Sequence, residues 1–315
     1  MESALPGVSV VIPTYNRRML VPRAIDSVLA QTRPADEIIV VDDGSSDGTE
    51  AALAERFGSR IRYVAQANQG VAAARNHGIS LARFDLVAFL DSDDVWRPEK
   101  LALQVPAMAD PGVVLSATNW AWENAPDAGR FQQLGHASPH PVETDRAPLF
   151  QLCHRRGHGL LIQTCLVRRA ALTRIGGFDA TLRISEDMDL LFRLAEEGGF
   201  ALLSPILMIR DGGEGADGNL TQPSSLRWRQ QNLDNIIAIL RRSLERHRHD
   251  PFGTAVRRRL VQLLSYRAKL HANAGDTRTA RHLCREALAQ RVWTREAAIC
   301  AAGWVFPALL KRSRG

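Results

Sequence analysis

Four short apolar runs, at 8–12, 38–41, 61–64 and 86–90, punctuate the first 120 residues, and helical patterns separate them. The runs are short, apolar and rich in β-branched residues, as suits buried strands. Between them Leu20, Ala24, Ile25, Val28 and Leu29 recur at helical spacing, and 69–82 is rich in alanine. Pro98 suits the first position of a helix running to about Met108. Asp47 and Glu50, three residues apart, have the form of a capping box for another helix. Such alternation requires crossover connections, which put helices on both faces of a parallel sheet. The expected class is therefore α/β with a mostly parallel central sheet.

The fourth run ends abruptly in the carboxylates Asp91, Asp93 and Asp94 (LVAFLDSDDVW, 86–96). A strand there delivers the acids to the carboxyl edge of the sheet, where open α/β sheets form their ligand crevices. Acids this close repel one another unless a cation lies between them, and a hard divalent ion fits that need. A solvated acidic turn would explain the string if it stood alone. Here VSVVIPTYNR (8–17) and VVDDGSSDGT (40–49) end strands in polar turns, and NQGVAAARN (68–76) opens a helix. Farther on, GGFD (176–179) precedes SEDMDLLFRL (185–194), which sets Glu186 and Asp187 at a helix start.

This ordered set, over about residues 6–225, resembles the family 2 glycosyltransferases. The resemblance implies a GT-A fold, Rossmann-like, and an inverting transfer of a sugar from a nucleoside-diphosphate sugar to an acceptor hydroxyl. UDP is the family's commonest nucleotide carrier. By resemblance, Pro13, Thr14 and Tyr15 lie along the base and ribose, Asp43 accepts from the base N–H, and Arg75 faces the donor's phosphates or sugar. Plain structural readings stand beside these: a turn or cap for Asp43, a surface salt bridge for Arg75, and a backbone-fixing role for Asn76. Asp91 and Asp93 match the family's DxD. Asp93 is then the direct ligand of Mn²⁺ or Mg²⁺, and Asp91 holds the ribose or the ion's waters. Asp94 is either a support for that site or a helix cap. Asp187 is the expected catalytic base, with Glu186 as runner-up because acids also complement a helix N-terminus.

Two rival readings account for less of the sequence. A metal-dependent nucleotidyltransferase also uses acids at strand ends, but IPTYNRR lacks the glycines of a triphosphate loop and the SED string would have no task. An inactive nucleotide-sugar-binding scaffold would have no need of Asp43, Asp91, Asp93 and Asp187 together.

The remaining sequence is less regular. Residues 124–159 read as a long excursion whose His136, His140, His154 and His158 could touch an acceptor or simply occupy surface or core. The stretch 160–167 reads as a strand and 186–197 as a helix. The glycine-rich 211–219 could form a mobile lid, with Asp211 or Asp217 as a further metal ligand. From 226 onward the pattern is helical, which divides the chain into a catalytic domain, 1–225, and a helical region, 226–315. Within the latter, 266–288 is similar to a single tetratricopeptide unit turning at Gly275 and Asp276, and one copy cannot build a solenoid.

Charge separates the two parts. From Leu226 there are 19 Arg and Lys against 6 Asp and Glu, or +13, which leaves −7 on residues 1–225 of a chain whose net charge is +6. No nucleic-acid motif accompanies the basic helices, so a solvated face or an anionic membrane surface is expected rather than nucleic acid. Residues 297–310 form an apolar stretch with Trp304 and Phe306, preceded by Trp293 and flanked by Arg291, Arg295, Lys311, Arg312 and Arg314. A bilayer span takes about 20 residues, and Pro307 would interrupt a helix. The stretch is read as a core helix or an interfacial segment. Four scattered cysteines with no CxxC pair, and no room for a leader before the first strand, suggest a reducing, cytoplasmic location, peripheral on the membrane face if the basic region engages it. The acceptor class implied is a glycan, a lipid-linked glycan or another hydroxyl compound.

Overall fold

Strand β1 (Val8–Thr14) is buried along its whole length and pairs in parallel with β2 (Glu37–Asp42) on one side and β4 (Leu86–Phe89) on the other. The computed structural model describes residues 6–133, 142–143, 159–211, 226–247, 251–292 and 294–305. β2 carries β3 (Arg62–Ala65) on its outer side, also parallel, so the four apolar runs form the parallel half of the sheet. The connections are α1 (Val21–Leu29), α2 (Thr49–Phe57) and α3 (Val71–Leu81).

The other half is assembled differently. The two-residue β5 (Val95–Trp96) leads to α4 (Lys100–Ala107), β6 (Val113–Trp122), α5 (Arg130–Gln133) and β7 (Val142–Glu143). β8 (Cys165–Arg168) runs antiparallel to both β4 and β6, and β9 (Gly199–Arg210) runs parallel to β6. Before β9 come α6 (Arg169–Arg174) and α7 (Glu186–Glu197). The spatial order is β3-β2-β1-β4-β8-β6-β9-β5, with β7 on β9. The central sheet is mixed, and its parallel strands are the ones that carry the polar strand ends.

Alternate residues of the central strands face opposite layers. Val10 and Ile12 pack with Val21, Ile25, Leu53 and Leu101 from α1, α2 and α4. Val11 and Phe89 face Ala72 and Ala74 of α3, Leu172 of α6 and Leu190, Leu191 and Leu194 of α7. Helices thus cover both faces of the central strands, whose successive side chains alternate between the two layers, whereas edge strand β3 is exposed to half-buried. Gly78 lets α3 lie flat on β1, since a Cβ there would run into the Val11 side chain.

Three local expectations are corrected. α4 begins at Lys100 rather than Pro98, which lies in the turn before it. The Asp47–Glu50 capping box does not form: Gly48, at φ +83°, occupies the cap, and Asp47 accepts instead from Thr49 N–H (3.1 Å) and Arg18 N–H (2.9 Å). Only 165–168 of the expected strand 160–167 is extended in the sheet, because Ile162–Thr164 coil into a 3₁₀ turn.

Residues Met1–Asn219 form one compact unit and Leu220–Gly315 a second. The second contains α8 (Leu226–Arg246), α9 (Pro251–Asn273), α10 (Thr277–Ala289) and α11 (Arg295–Val305). Gly275 turns the chain at φ +86°, and the Asp276 carboxylate accepts from Thr279 N–H (3.0 Å) to start α10, at the turn read from the sequence. Ala297 and Cys300 of α11 are buried. Among the described residues no helix is long and apolar enough to cross a membrane. The Trp304 side chain, Trp293, Phe306, Pro307 and the terminal cations lie outside the described residues, as do Cys153, the four loop histidines, Asp217 and nearly all of the proposed lid.

Candidate active site

β1, β2 and β4 all end on the same edge, and the polar extensions of β1 and β2 are bonded to each other. Asp43 N–H donates to Thr14 C=O (2.8 Å), Asn16 N–H to Ser45 Oγ (2.8 Å), and Ser46 N–H to Asn16 Oδ1 (2.8 Å). Pro13 and Thr14 are buried at the end of β1, whereas Tyr15 is 48% exposed. Thr14 Oγ1 is buried without a hydrogen-bond partner among the described residues.

Asp43 is more heavily engaged than a base-reading carboxylate need be. It accepts from Gln66 Nε2 (2.8 Å), Gln69 N–H (2.9 Å) and Gly70 N–H (2.7 Å). It therefore pins the loop that enters α3. Its neighbour Asp42 accepts from Tyr63 OH (2.8 Å) and Ser45 N–H (2.7 Å).

Arg75, on α3, was expected to face donor phosphates or, failing that, to make a surface pair. Its side chain is 3% exposed, which excludes a surface pair, with Nη2 2.7 Å from Asp91 Oδ1 and Nη1 2.9 Å from Glu186 Oε1. The guanidinium carbon lies 5.3 Å from the Phe178 ring centroid, within range of the ring's quadrupole. Asn76 completes the link: its Nδ2 donates to Phe178 C=O and its Oδ1 accepts from Phe178 N–H, both at 2.8 Å. The ARN string thus holds the GGFD and SED strings against the DxD. Burial and the two facing carboxylates act in opposite senses on Arg75, and the carboxylates prevail, so it stays charged.

Asp91, Asp93 and Asp94 offer carboxylate oxygens that all lie within 4.8 Å of one another. Burial, and then the charge of neighbouring Asp91, push Asp93 upward. Burial followed by Asp91 and Asp93 pushes Asp94 well above the usual carboxylate range. Arg17 Nη2 is 3.9 Å from Asp93 Oδ2, and Arg210 also opposes the upward shift. Asp94 accepts from Asp211 N–H (3.1 Å) and caps no helix. Three hard oxygen donors so close, held against the cost of burial and mutual repulsion, suit Mn²⁺ or Mg²⁺ and not a soft ion.

α7 starts after Ser185, at φ +70°, and presents Glu186 and Asp187 in its first turn. Burial and then adjacent Asp187 raise Glu186 to about 7, despite the Arg75 pair. Asp187 is only partly buried; its Oδ1 accepts from Met188 N–H (2.7 Å). Asp189 turns away into a pair with Arg193 (2.6 Å).

Sequence reasoning overlooked three groups near this edge. Gln163, in the 3₁₀ turn, donates through Nε2 to Asp91 Oδ2. Arg17 and Arg210 are the others. Nothing local marks Gln163, which lies 72 residues from its partner; Arg17 was visible in the TYNR string.

Similar proteins bear on this arrangement. Residues 9–174, more than half of the chain, match the sequence model of glycosyl transferase family 2. The succinoglycan biosynthesis protein ExoO of Rhizobium meliloti is 32% identical over 223 residues, 66% of this chain and 62% of its own. The chain spans less than two thirds of the length of that and the other curated relatives it matches. Among solved structures, S. aureus TarS 1–349 in complex with UDP-GlcNAc superposes with a TM-score of 0.64 at 18% identity, over 89% of this chain and 81% of its own. A Pyrobaculum calidifontis mannosyltransferase in complex with GDP-Man and Mn²⁺ gives 0.59 at 20% identity, over 98% and 86%. At those identities the likeness establishes the GT-A fold, with its helices on both sides of a mixed sheet. With the family match covering the very strands whose ends converge on Asp91, this chain belongs to glycosyltransferase family 2.

Proposed function

We propose that the chain is a metal-dependent, inverting glycosyltransferase that moves a sugar from a nucleoside-diphosphate sugar to an acceptor hydroxyl in polysaccharide or glycoconjugate synthesis. The observation that carries this reading is the buried Arg75 bridge, which brings the DxD carboxylates and the Glu186–Asp187 pair to one place from segments 95 residues apart. UDP is the first carrier to test, and GDP the second, since the two structural neighbours hold one of each.

Asp93, with Asp91 and Asp94 beside it, would hold the divalent ion, which when bound offsets charge developing on the departing diphosphate. Pro13, Thr14 and Tyr15 border the nucleotide, and the orphaned Thr14 hydroxyl is available to a polar group of the donor. Asp43 contributes through the loop it fixes, with base contact as a second task. Arg75 acts indirectly, by setting Asp91 and Glu186. Asp187 takes the proton of the acceptor hydroxyl as its oxygen attacks C1; the C1–diphosphate bond breaks, and no covalent enzyme intermediate is needed. Asp187 is preferred to Glu186 because the Glu186 carboxylate is committed to Arg75. General-base help contributes about 10²–10⁴-fold, and in-line placement of the two substrates supplies much of the rest.

The basic region 226–315 is assigned a peripheral role at an anionic membrane surface. Arg278, Arg281 and Arg285, exposed along α10, support it. Such residues contribute about 1 kcal/mol each near an anionic leaflet, so binding should be weak and salt-sensitive. A lipid-linked glycan acceptor would fit that placement.

The deciding experiment is a thermal-shift and turnover screen of UDP, GDP, TDP and CMP sugars with Mn²⁺. Stabilisation and sugar transfer by one donor class are expected. A chain that neither binds nor turns over any of them would lose this assignment.

A further inference from the structure

Gln163 has no role in the reading above, yet it is among the best-anchored side chains at the site. It is 6% exposed, and its Nε2 donates to Asp91 Oδ2 while Arg75 Nη2 holds Asp91 Oδ1 at 2.7 Å. Both oxygens of Asp91 are therefore gripped from opposite sides by groups on different elements. A carboxylate held in this way cannot rotate freely, and hydrogen bonds to a charged acceptor are the stronger kind.

The turn carrying Gln163 is itself fixed from within the fold. Trp96 Nε1 donates to Gln163 C=O (3.0 Å), and Gln104 Nε2 donates to Thr164 C=O (3.0 Å) and Ser116 C=O (2.8 Å). Fully buried Lys100 joins these two anchors: its Nζ donates to Gln104 Oε1 (2.5 Å) and lies 4.0 Å from the Trp96 ring centroid. Trp96, Lys100 and Gln104 follow at four-residue intervals, so one line of side chains leading into and along α4 supports the turn. The anchors explain why residues 162–164 leave the sheet before β8: the carbonyls of Gln163 and Thr164 are taken by side chains and that of Ile162 by Cys165 N–H, not by strand neighbours.

A second observation points toward a ligand. Gln163 Oε1 is buried and has no hydrogen-bond partner among the described residues. An unmet buried carbonyl is costly unless a water or a bound molecule supplies the donor. Thr14 Oγ1 and Arg75 Nε are left unmet in the same way at the same edge.

We infer that Gln163 is a positioning residue for donor binding: its amide fixes Asp91 in the orientation that receives the sugar nucleotide, and the Trp96–Lys100–Gln104 line sets the amide. The inference rests on the nucleotide-sugar reading of the site. It differs from a general structural role because it predicts a loss confined to the donor. Gln163→Leu keeps the side-chain bulk and removes the N–H. Its affinity for a UDP or GDP sugar at saturating Mn²⁺ should fall about tenfold, the loss expected for a hydrogen bond to a charged group. Donor KM should rise in parallel. Mn²⁺ affinity in the absence of nucleotide, read by calorimetry, should fall by clearly less than donor affinity, because the direct ligand Asp93 is untouched, and kcat should stay within about threefold, because Asp187 is untouched. Trp96→Phe removes the indole N–H that holds Gln163 C=O, together with part of the ring, and should give a smaller donor-affinity loss in the same direction; it decides the matter if Gln163→Leu does not fold. Wild-type donor affinity in both variants, or equal losses for Mn²⁺ alone and for donor, would overturn the inference. A wild-type chain that binds no sugar nucleotide with Mn²⁺ would overturn the reading of the site as well, whereas a binding wild type with unaffected variants removes only the role of Gln163.

Discussion

Arg75 Nη1 and Glu186 Oε1 lie 2.9 Å apart across 111 residues of chain, and the same guanidinium is 2.7 Å from Asp91 Oδ1. One buried cation thus fixes the distance between the acids assigned to the donor and those assigned to the acceptor. Its burial matters: in water such a pair contributes little, but here removing the cation strands two carboxylates in a desolvated place.

Arg75→Met should therefore destabilise the fold by about 3–5 kcal/mol, the usual result of leaving a buried charge unpaired. Equilibrium urea unfolding measures it. Arg75→Lys should recover little, because an ammonium cannot hold two carboxylates through a planar fork. A loss under 1 kcal/mol in Arg75→Met would mean that the bridge is not made in solution.

Asp93→Asn removes the acid assigned as the direct metal ligand. Mn²⁺-dependent donor binding should weaken at least about tenfold, on the scale of a lost charge-assisted contact. Chelation with EDTA should abolish turnover of the wild type, and excess Mn²⁺ should restore it. Undiminished turnover in thoroughly chelated protein would remove the metal assignment.

Asp187→Asn separates chemistry from binding. The expected result is a kcat lowered by about 10²–10⁴-fold with donor affinity within about twofold of wild type. If Glu186→Gln lowers kcat more than Asp187→Asn does, the two residues exchange roles.

Lys100 provides a test by pH. Burial brings its ammonium down to about 7 from the ordinary 10.5. Between those two values the native chain binds fewer protons than the unfolded chain, so this group makes stability rise as pH increases from about 7 toward 10.5. Below about 7 both states are protonated and its contribution is flat. Unfolding free energies across that window should rise more steeply with pH in the wild type than in Lys100→Met. Parallel curves would place a normal, solvated amine at residue 100.

The sequence determined the elements whose signals are local. Apolar β-branched runs gave four strands nearly to the residue, the SED string marked the start of α7, and Gly275–Asp276 marked a helix turn, because periodicity and backbone propensity act over a few residues. It also placed Asp91, Asp93 and Asp94 at a strand end, since a strand's direction settles where its last residues lie. Tertiary structure decided the rest. Asp47 gave up its capping box to bond a neighbouring loop, and 162–164 left the strand because Trp96 and Gln104 claim the carbonyls of Gln163 and Thr164. Arg75 became a buried bridge, not a group facing solvent, and Gln163 met an acid 72 residues away. Those outcomes depend on which strands become neighbours and how closely helices pack on them, and no window of sequence records a contact that only the closed sheet creates.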